Sequence, residues 1–216
     1  GYVSGNTSGG FTTVAGSSNA DLTNTSGRNY VAWNWKANGS GVSNTDGSIT
    51  STVSANTESG FSIVSYTGNG TAGATIGHGL NQAPDVMIVK NRDNGAAIWS
   101  VYHSSNTSAP ETDALQLNTT NATGDNVVFW NDTAPTSSVF SVGTYTGTNN
   151  SGDNIIAYCF HSVEGFSKFG SYTGNGSNDG PFIYTGFRPA WLLIKNTGQA
   201  NDWFLMDTAR STYNEV

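Results

Sequence analysis

The amino-acid sequence predicts an all-β protein, an antiparallel β-sandwich of many short strands. Three observations lead to this prediction. Gly, Ser, Thr and Asn are abundant while charged residues make up only 11%, a mixture that disfavours helices and suits tight turns. Large apolar residues recur at every second position in several short segments. Long phrases of the sequence also occur twice, about 105 residues apart, as in a protein built from repeats.

The predicted strands are read from alternating and continuous apolar segments. In "YVAWNW", which begins at Tyr30, and "NIIAYCF", which begins at Asn154, large side chains alternate with smaller ones, the pattern of a strand with one buried face. "DVMIVK" and "AWLLIK" are nearly continuous apolar runs, typical of strands covered on both faces. The predicted core is Val31, Trp33, Trp35, Ile63, Val86, Ile88, Val89, Ile156, Tyr158, Phe160, Leu192 and Ile194.

Short Gly- and Asn-rich segments separate these strands. "TGNG", "RDNG" and "NNSG" are typical of turns, because Gly and Asn tolerate positive φ. No convincing amphipathic helix is found, and helix is expected in less than about a tenth of the residues.

The repeats divide the chain into three parts. Ser65–Asn91 matches Ser171–Asn196, and Ser26–Lys36 matches Ser151–His161, in the same order along the chain. Residues 1–57 are predicted to be the end of one repeat with a polar insertion. Residues 58–163 form one complete repeat, and residues 164–216 are the first half of the next. The strands that the incomplete copies lack would come from a neighbouring copy, a second chain or sequence beyond this segment.

The matched phrases should share one backbone path. Phe61–Asn91 is expected to superpose on Phe166–Asn196, with Gly68 over Gly174 and Gly70 over Gly176, because a "TGNG" turn needs residues that are free to adopt positive φ. Two loops break the repeat. They are the insertion Ala37–Glu58, expected to be a polar loop or solvent-facing hairpin, and the loop Asn106–Asp113. Unmatched loops are where function can diverge between copies.

The sequence offers little for catalysis, metals or cofactors, and none of the three is predicted. A glycosidase needs two carboxylates beside one sugar bond, but Glu58 and Glu164 occupy equivalent places in successive repeats and so more simply cap a turn twice. Glu111 and Glu215 are the remaining glutamates. The three histidines lie on separate segments and are expected to be exposed or to cap turns. Cys159 is the only cysteine and is expected to be a small packed residue.

Tyrosines at Gly-rich turns are the candidate ligand contacts. Four tyrosines stand in "YTG" contexts, where an aromatic ring can stack on a sugar or simply end a strand with its hydroxyl in water. Their recurrence in each copy favours the packing role. The candidate surface contacts are Tyr66, Tyr145, Tyr172, Tyr184, Asn106 and Asp113.

Net charge narrows the choice of partners. Eight basic residues stand against 15 acidic ones, giving a net charge of −7. Such a surface repels nucleic-acid phosphates and anionic lipid, so neither nucleic acid nor membrane insertion is expected. The opening "GYVSGNTSGG" reads as the middle of a longer chain, and the protein is expected to be soluble.

Several phrases resemble those of a known group of proteins. "YVAWNWKA", "GFSIVSYTGNGTAGATIGHGL", "NDTAPTSSVFSVG" and "FSKFGSYTGNGS" are similar to repeat proteins of marine tailed bacteriophages, cyanophages among them, which are labelled tail fibre or virion structural proteins. The resemblance covers nearly the whole chain. It implies a concanavalin- or laminin-G-like β-sandwich on the virion surface that contacts the host envelope. It brings no catalytic residues with it.

The sequence therefore predicts a non-enzymatic virion protein, a tail fibre, spike or surface decoration, that acts by adhesion or assembly. Its expected partners are other virion proteins and a host surface glycan or receptor, and its expected assembly is a homo-oligomer, taken as a trimer. A carbohydrate-binding or structural module of a cell-surface adhesin or extracellular filament is the alternative. A depolymerising enzyme is the third class, and it would require a carboxylate pair in one cleft.

Overall fold

The computed structural model describes residues 2–14 and 23–210 of the chain. Within these residues the helical elements are a single turn, α1 (Thr146–Asn149), and a 3-10 helix at Pro110–Thr112. The all-β prediction is confirmed. The strands are β1 (Tyr2–Thr7), β2 (Gly10–Val14), β3 (Val42–Asn44), β4 (Ser51–Asn56), β5 (Phe61–Thr67), β6 (Ala74–Gly77), β7 (Val86–Asn91), β8 (Ser100–His103), β9 (Asp113–Gln116), β10 (Gly124–Asp125), β11 (Val139–Val142), β12 (Asn154–Phe160), β13 (Trp191–Ile194) and β14 (Phe204–Asp207).

One antiparallel sheet of eight strands dominates the fold. Its strand order is β10-β9-β8-β7-β12-β5-β4-β3. β12 runs between β7 and β5, so Phe160 lies opposite Val86 on one side and Phe61 on the other. β-branched and aromatic residues fill this central strand, as pairing on both sides favours. The chain must therefore travel from β7 through four further strands before β12 returns to pair between β7 and β5.

A two-stranded sheet, β6 with β11, packs on one face of the large sheet. The Ile49 amide donates to the Thr75 carbonyl at 3.0 Å and connects the chain before β4 to β6. Apolar side chains from both sheets meet in one continuous cluster. Its buried members include Val64, Tyr66, Ile76, Met87, Val89, Phe140, Val142, Ile155, Ala157 and Cys159.

The opposite face of the large sheet is also covered. Val86, Val101 and Leu115 are buried there, and Phe169 and Trp203 from the C-terminal part of the chain pack against them. Both faces of the central strands therefore lie under other parts of the chain.

Because both faces are covered, the residues that are most deeply buried differ from the predicted core. In β12 the fully buried residues are Ile155, Ala157 and Cys159, and the larger side chains between them are only half-buried. Small side chains fit the face against β6 and β11 because the rings of Tyr66 and Phe140 already fill that space. Of the predicted core, Val86 and Val89 are buried, and the half-buried members are Ile63, Ile88, Ile156, Tyr158, Phe160, Leu192 and Ile194.

The predicted strand at residues 30–35 is not a strand in this structure. Val31, Trp33 and Trp35 are between 40% and 45% exposed, so their predicted burial is wrong. On that side of the large sheet β5 pairs with β4, and β3 is the edge strand. The side chains of residues 30–35 nevertheless contact the C-terminal hairpin. The Trp35 ring lies 5.6 Å from that of Trp191, and the Arg210 guanidinium lies 5.7 Å from the centre of the Trp33 ring.

The insertion Ala37–Glu58 folds as a hairpin, one of its two predicted forms. β3 and β4 pair antiparallel at the edge of the large sheet. The insertion is not wholly solvent-facing, because Val53 and Ile49 are buried. β4 also pairs with β5 along its whole length, so the expected boundary between residues 57 and 58 falls between two paired strands.

Two hairpins of the structure have the same register. β7 pairs with β8 so that Val86 lies opposite His103, and β13 pairs with β14 so that Trp191 lies opposite Asp207. The second pair stands 105 and 104 residues further along the chain than the first. The paired residues of one hairpin therefore correspond in the sequence to the paired residues of the other.

A lysine holds the connecting loop of each hairpin. The Lys90 ammonium donates to the Asn94 carbonyl at 3.2 Å, and the Lys195 ammonium donates to the Gln199 carbonyl at 3.3 Å. Each lysine also donates to a carbonyl just before the second strand of its hairpin. The loop chemistry is thus alike in the two places.

Outside the hairpins the predicted superposition fails. Phe61–Asn91 contains β5 and β6, whereas the matching first part of Phe166–Asn196 contains no strand. Gly70 and Gly176 both adopt positive φ, as expected, at 70° and 67°. Gly68 does not adopt positive φ. A glycine is needed at this position because a Cβ there would overlap the backbone of Asn150, just after α1.

Among residues 2–14 and 23–210, no helix has the length and apolar character needed to cross a bilayer.

Candidate contact surface

Tyr66 lies in the core, so its ring is not available to contact a ligand at the surface. Its ring is buried, and its hydroxyl donates to the Thr148 carbonyl at 2.7 Å. Burial raises the pKa of this phenol well above its ordinary value, because the phenolate would lose its hydration. The surface prediction for Tyr66 is wrong, because the hydrogen bond that ties β5 to α1 holds the ring inside.

Tyr145 is half-buried just before α1. Its ring centre lies 4.6 Å from that of Phe129, and the ring packs against the main core. Position 147 is a glycine because a larger side chain there would overlap the Tyr145 ring. The ring therefore has a packing role, and only part of it is available to a ligand.

Tyr172 and Tyr184 lie at the surface. Tyr184 is 78% exposed and Tyr172 is 49% exposed, and Phe182 between them is 88% exposed. We call residues 172–187 the aromatic loop. It begins in the second "SYTGNG" phrase, leads towards β13 and contains no strand. Exposed rings on a loop can stack on flat apolar faces, including those of sugars.

Asn106 and Asp113 brace their own loop. The Thr123 hydroxyl donates to the Asn106 side-chain oxygen at 2.8 Å, and the Thr107 hydroxyl donates to the Asp113 carboxylate. Asp113 is buried, and its backbone carbonyl accepts from the indole of Trp130 at 2.9 Å. Asp113 is therefore another wrong surface candidate, whereas Asn106 remains partly exposed.

A shallow cleft of about 180 Å³ lies beside the insertion hairpin. Asn38, Ser40 and Asn44 supply its polar lining, and Val53 and Gly79 form part of its apolar wall. The Asn44 side chain is already engaged, since its amide donates to Asp46 at 2.8 Å. The cleft is too small to enclose a drug-sized ligand.

The aspartates near the strand ends accept hydrogen bonds within the fold. Asp85 accepts from the Ser162 amide at 2.7 Å, and Asp93 accepts from the Asn154 amide at 2.7 Å. Asp153 accepts from the side chains of Asn91 and Asn150, and these bonds lower the pKa of its carboxyl. These carboxylates fasten loops to strands.

Two of the four glutamates considered for catalysis lie at the surface. Glu58 and Glu164 are exposed residues in turns, which fits their equivalent places in the two phrases. Glu111 lies in the 3-10 helix. Glu215 lies outside the described residues. Within the described part of the chain, no three His, Cys, Asp or Glu residues are grouped as a metal site would require.

The histidines are buried or half-buried rather than exposed, and His78 and His103 each accept a hydrogen bond from the backbone amide two residues further on, which is the turn-capping role that was the other expectation. His78 is fully buried: its Nδ1 accepts from the Leu80 amide at 3.2 Å, and its Nε2 lies 3.2 Å from the Thr136 carbonyl. Burial lowers its pKa, because a protonated ring would have to leave water. His103 accepts at Nδ1 from the Ser105 amide, and burial lowers its pKa also. His161 is buried as well.

Asn149 is an organising residue that the sequence analysis missed. Its side-chain oxygen accepts from the Asn69 amide at 2.9 Å, and its side-chain nitrogen donates to the Thr71 carbonyl at 2.9 Å and the Gly143 carbonyl at 2.8 Å. The residue is fully buried. The signal was the "NNSG" segment, which indicates a turn but not that one asparagine reaches across to the "TGNG" turn.

Cys159 is packed in the core, as expected. Its thiol is fully buried, and burial raises its pKa to about 12, so the reactive thiolate is disfavoured.

The fold and the surface together define an all-β protein with one large antiparallel sheet, loops fastened by side-chain hydrogen bonds, and an exposed aromatic loop. The chain belongs to the family described as "Domain of unknown function (DUF7483)", whose model matches residues 2–216. Comparisons with curated proteins and with solved structures gave no match.

Proposed function

We propose that this protein is a non-enzymatic virion protein of a tailed bacteriophage, a tail fibre, spike or surface decoration, with a role in adhesion to the host. The observation that carries the proposal is the aromatic loop. Phe182 and Tyr184 are 88% and 78% exposed, on a scaffold in which Asp85 and Asp93 accept hydrogen bonds that brace loops. Large exposed rings are costly in water, and they are typical of surfaces that bind something.

The internal repeat supports the same proposal. We propose a β-sandwich of the concanavalin or laminin-G type built from repeats of about 105 residues, a length that follows from the matched hairpins. In support, two sheets pack face to face around the main core, and the two hairpins share register and loop lysines. Weak contacts become effective when a particle presents many copies of one module, because tethering makes later contacts intramolecular.

A carbohydrate-binding module of a cell-surface adhesin or extracellular filament is the second candidate. It rests on the same loop, since aromatic rings beside polar groups suit sugar binding. The loop also carries polar groups. One of them is the Asn175 side chain, which donates to the Asp179 carbonyl at 2.9 Å within the loop. The two candidates share a ligand class and differ in the object that carries the module.

The test of adhesion uses fluorescently labelled protein and host cells. We expect the double variant Phe182→Ser/Tyr184→Ser to bind cells at least about tenfold more weakly than the wild type, because the stacking rings are removed. Phe11→Ser is the matched control, since Phe11 is also an exposed aromatic residue but lies on the separate β1–β2 hairpin. Equal binding by the double variant and the wild type would contradict the assignment of the aromatic loop.

Hydrolysis of host glycan by the wild-type protein would contradict the non-enzymatic part of the proposal. The assay is release of reducing ends from purified host surface polysaccharide, and we expect none above the buffer control.

A further inference from the structure

An open groove of about 400 Å³ is formed by the segment that follows β9 and the residues just before β14. That volume falls in the range of about 300–1,000 Å³ that small-molecule sites occupy. The groove shares no residue with the aromatic loop. Its lining residues are Leu117, Asn118, Thr119, Thr120, Asp202 and Trp203.

Hydrogen bonds within the chain join the two sides of the groove. The indole N–H of Trp203 donates to the Gln116 carbonyl at 2.9 Å, which fixes the ring. The Lys195 ammonium donates to the Thr120 carbonyl at 3.1 Å on one side and to the Asn201 carbonyl at 2.6 Å on the other. The groove is therefore preformed, so little binding free energy is lost in ordering it.

Trp203 and Leu117 give the groove its apolar part. Both are half-buried and pack against the cluster of Val86, Val101 and Leu115 on the outer face of the large sheet. The part of the indole that is not covered there lines the groove. A large flat ring of this kind offers an apolar surface on which the C–H groups of a sugar ring can stack.

Three polar groups of the lining have no hydrogen-bond partner among residues 2–14 and 23–210. They are the side-chain nitrogen of Asn118, the Thr120 hydroxyl and the Asp202 carboxylate. The Asn118 side-chain oxygen accepts from the Trp99 amide at 2.9 Å, and this bond orients the nitrogen. An amide donor, a hydroxyl and a carboxylate acceptor together match neighbouring sugar hydroxyls, each of which donates and accepts.

The charges around the groove favour a neutral ligand. Asp202 is the charged residue of the lining, and its carboxylate would repel phosphate, sulfate or an acidic sugar. The nearby Lys195 ammonium is engaged with the carbonyls of Thr120, Gln199 and Asn201, so its donors are taken. A metal ion would need further ligands, and the described part of the chain groups no three His, Cys, Asp or Glu residues.

Asp202 also distinguishes this hairpin from its counterpart. The second strands of the two hairpins stand 104 residues apart in the sequence, which places Asp202 over Ile98. Ile98 packs against the main core, whereas Asp202 is exposed. The second hairpin thus has a polar side chain at the groove where the first has a packed apolar one.

We infer that this groove is a second binding site, separate from the aromatic loop, for one neutral hexose residue of a glycan. The sugar ring stacks on Trp203, one hydroxyl donates to the Asp202 carboxylate, and a neighbouring hydroxyl accepts from the Asn118 amide. The inference goes beyond the proposed function, and it holds whether a virion or a cell surface carries the protein.

Titration with neutral trisaccharides tests the site. The probes are cellotriose, maltotriose, mannotriose and galactotriose, and the readout is the indole N–H resonance of Trp203, assigned with the variant Trp203→Phe. We expect at least one probe to shift this resonance with a Kd of about 1 mM or tighter, the weak end of measurable affinity.

Two variants and a matched control place the sugar. Asp202→Ala should weaken binding at least about tenfold, because a hydrogen bond to a charged group is lost. Asn118→Asp keeps the oxygen that accepts from the Trp99 amide but removes the donor, so it should weaken binding as well. Asp125→Ala should bind like the wild type, since Asp125 is an exposed aspartate outside the groove.

Three results would overturn the inference. The first is no shift of the Trp203 resonance with any probe at concentrations up to about 20 mM. The second is undiminished binding by Asp202→Ala. The third is tighter binding of trigalacturonic acid than of the neutral trisaccharides, which would show that the groove does not select against negative charge.

The aromatic-loop variant Phe182→Ser/Tyr184→Ser separates this inference from the proposed function. Its affinity for the trisaccharides should equal that of the wild type, because the groove lining is unchanged. Loss of trisaccharide binding in that variant would assign the sugar to the aromatic loop and overturn the groove alone. Trisaccharide binding at the groove, with cell binding unaffected by the aromatic-loop variant, would sustain this inference and remove the assignment of the aromatic loop.

Discussion

At the scale of single residues, buried polar side chains determine where the loops lie. Asn149 joins the "TGNG" turn, Thr71 just after that turn and Gly143 just after β11 through one amide group. Its neighbour in sequence, Asn150, instead binds Asp153 at the edge of the fold. Turn-forming composition could be predicted from the sequence, but which of two adjacent asparagines enters the core could not, since both have the same local chemistry.

Replacing Asn149 by Asp should destabilise the protein strongly. The variant keeps the shape of the side chain but removes the donor that faces the carbonyls of Thr71 and Gly143. We expect a loss of about 2–4 kcal/mol in the free energy of unfolding, because both carbonyls lose their donor and face a carboxylate at a fully buried position. Urea unfolding measures the loss. Asn121→Asp, at an exposed position, is the control and should change stability little.

Stability should also depend on pH through two histidines. Burial lowers the pKa values of His78 and His103 in the folded protein, whereas the unfolded chain has the ordinary value of about 6.5. The unfolded chain therefore binds more protons as the pH falls below about 6.5, and the free energy of unfolding should decrease from pH 7 to pH 5. Both rings also accept at Nδ1 from a backbone amide, that of Leu80 for His78 and that of Ser105 for His103, and neither can do so once Nδ1 is protonated.

Chemical denaturation at pH 7 and pH 5 tests this dependence. The loss of stability should be smaller in His78→Gln and smallest in His78→Gln/His103→Gln. Asp153, whose pKa is lowered, contributes only at more acidic pH, so it does not confound the comparison. An undiminished pH dependence in the double variant would contradict the role of these rings.

At the scale of the secondary-structure elements, the central strand shows what an alternating pattern can and cannot predict. The period of two in β12 was predicted correctly, because backbone pleating alone imposes it. Which of the two faces of β12 is buried more deeply was not predicted correctly. Larger side chains were expected inside, but the tighter face holds Ala157 and Cys159. On the other face, Phe160 contacts Phe169 in the C-terminal part of the chain. The choice depends on what covers each face, which is tertiary information.

Two adjacent isoleucines test this assignment with the same substitution. Ile155 is fully buried and Ile156 is half-buried on the opposite face. We expect Ile155→Ala to lower the free energy of unfolding by about 2–5 kcal/mol, the usual cost of a cavity in a packed core. Ile156→Ala should cost clearly less, because its neighbours leave it partly open to water. Urea unfolding measures both, and a greater loss for Ile156→Ala would restore the face first predicted.

At the scale of the whole molecule, the strand content could be predicted from the sequence, and the layering could not. The matched phrases were expected to share one backbone path, and the part of this expectation that the structure bears out is the common register of β7–β8 and β13–β14. They did not indicate that the second hairpin and its preceding segment would lie over the outer face of the large sheet. Of the candidate contacts, Tyr172 and Tyr184 are exposed, whereas Tyr66 and Asp113 are buried. For the tyrosines, a "YTG" motif does not indicate whether the chain folds over the ring.

The central claim is that this domain is carried on a virion and acts there by contact. Immunogold electron microscopy measures it most directly, with an antibody raised against residues 2–210 and applied to purified particles from cultures in which the gene is expressed. We predict gold on the tail or surface of the particles. Gold confined to cell envelopes or extracellular filaments, with particles unlabelled, would contradict the account and favour the adhesin alternative.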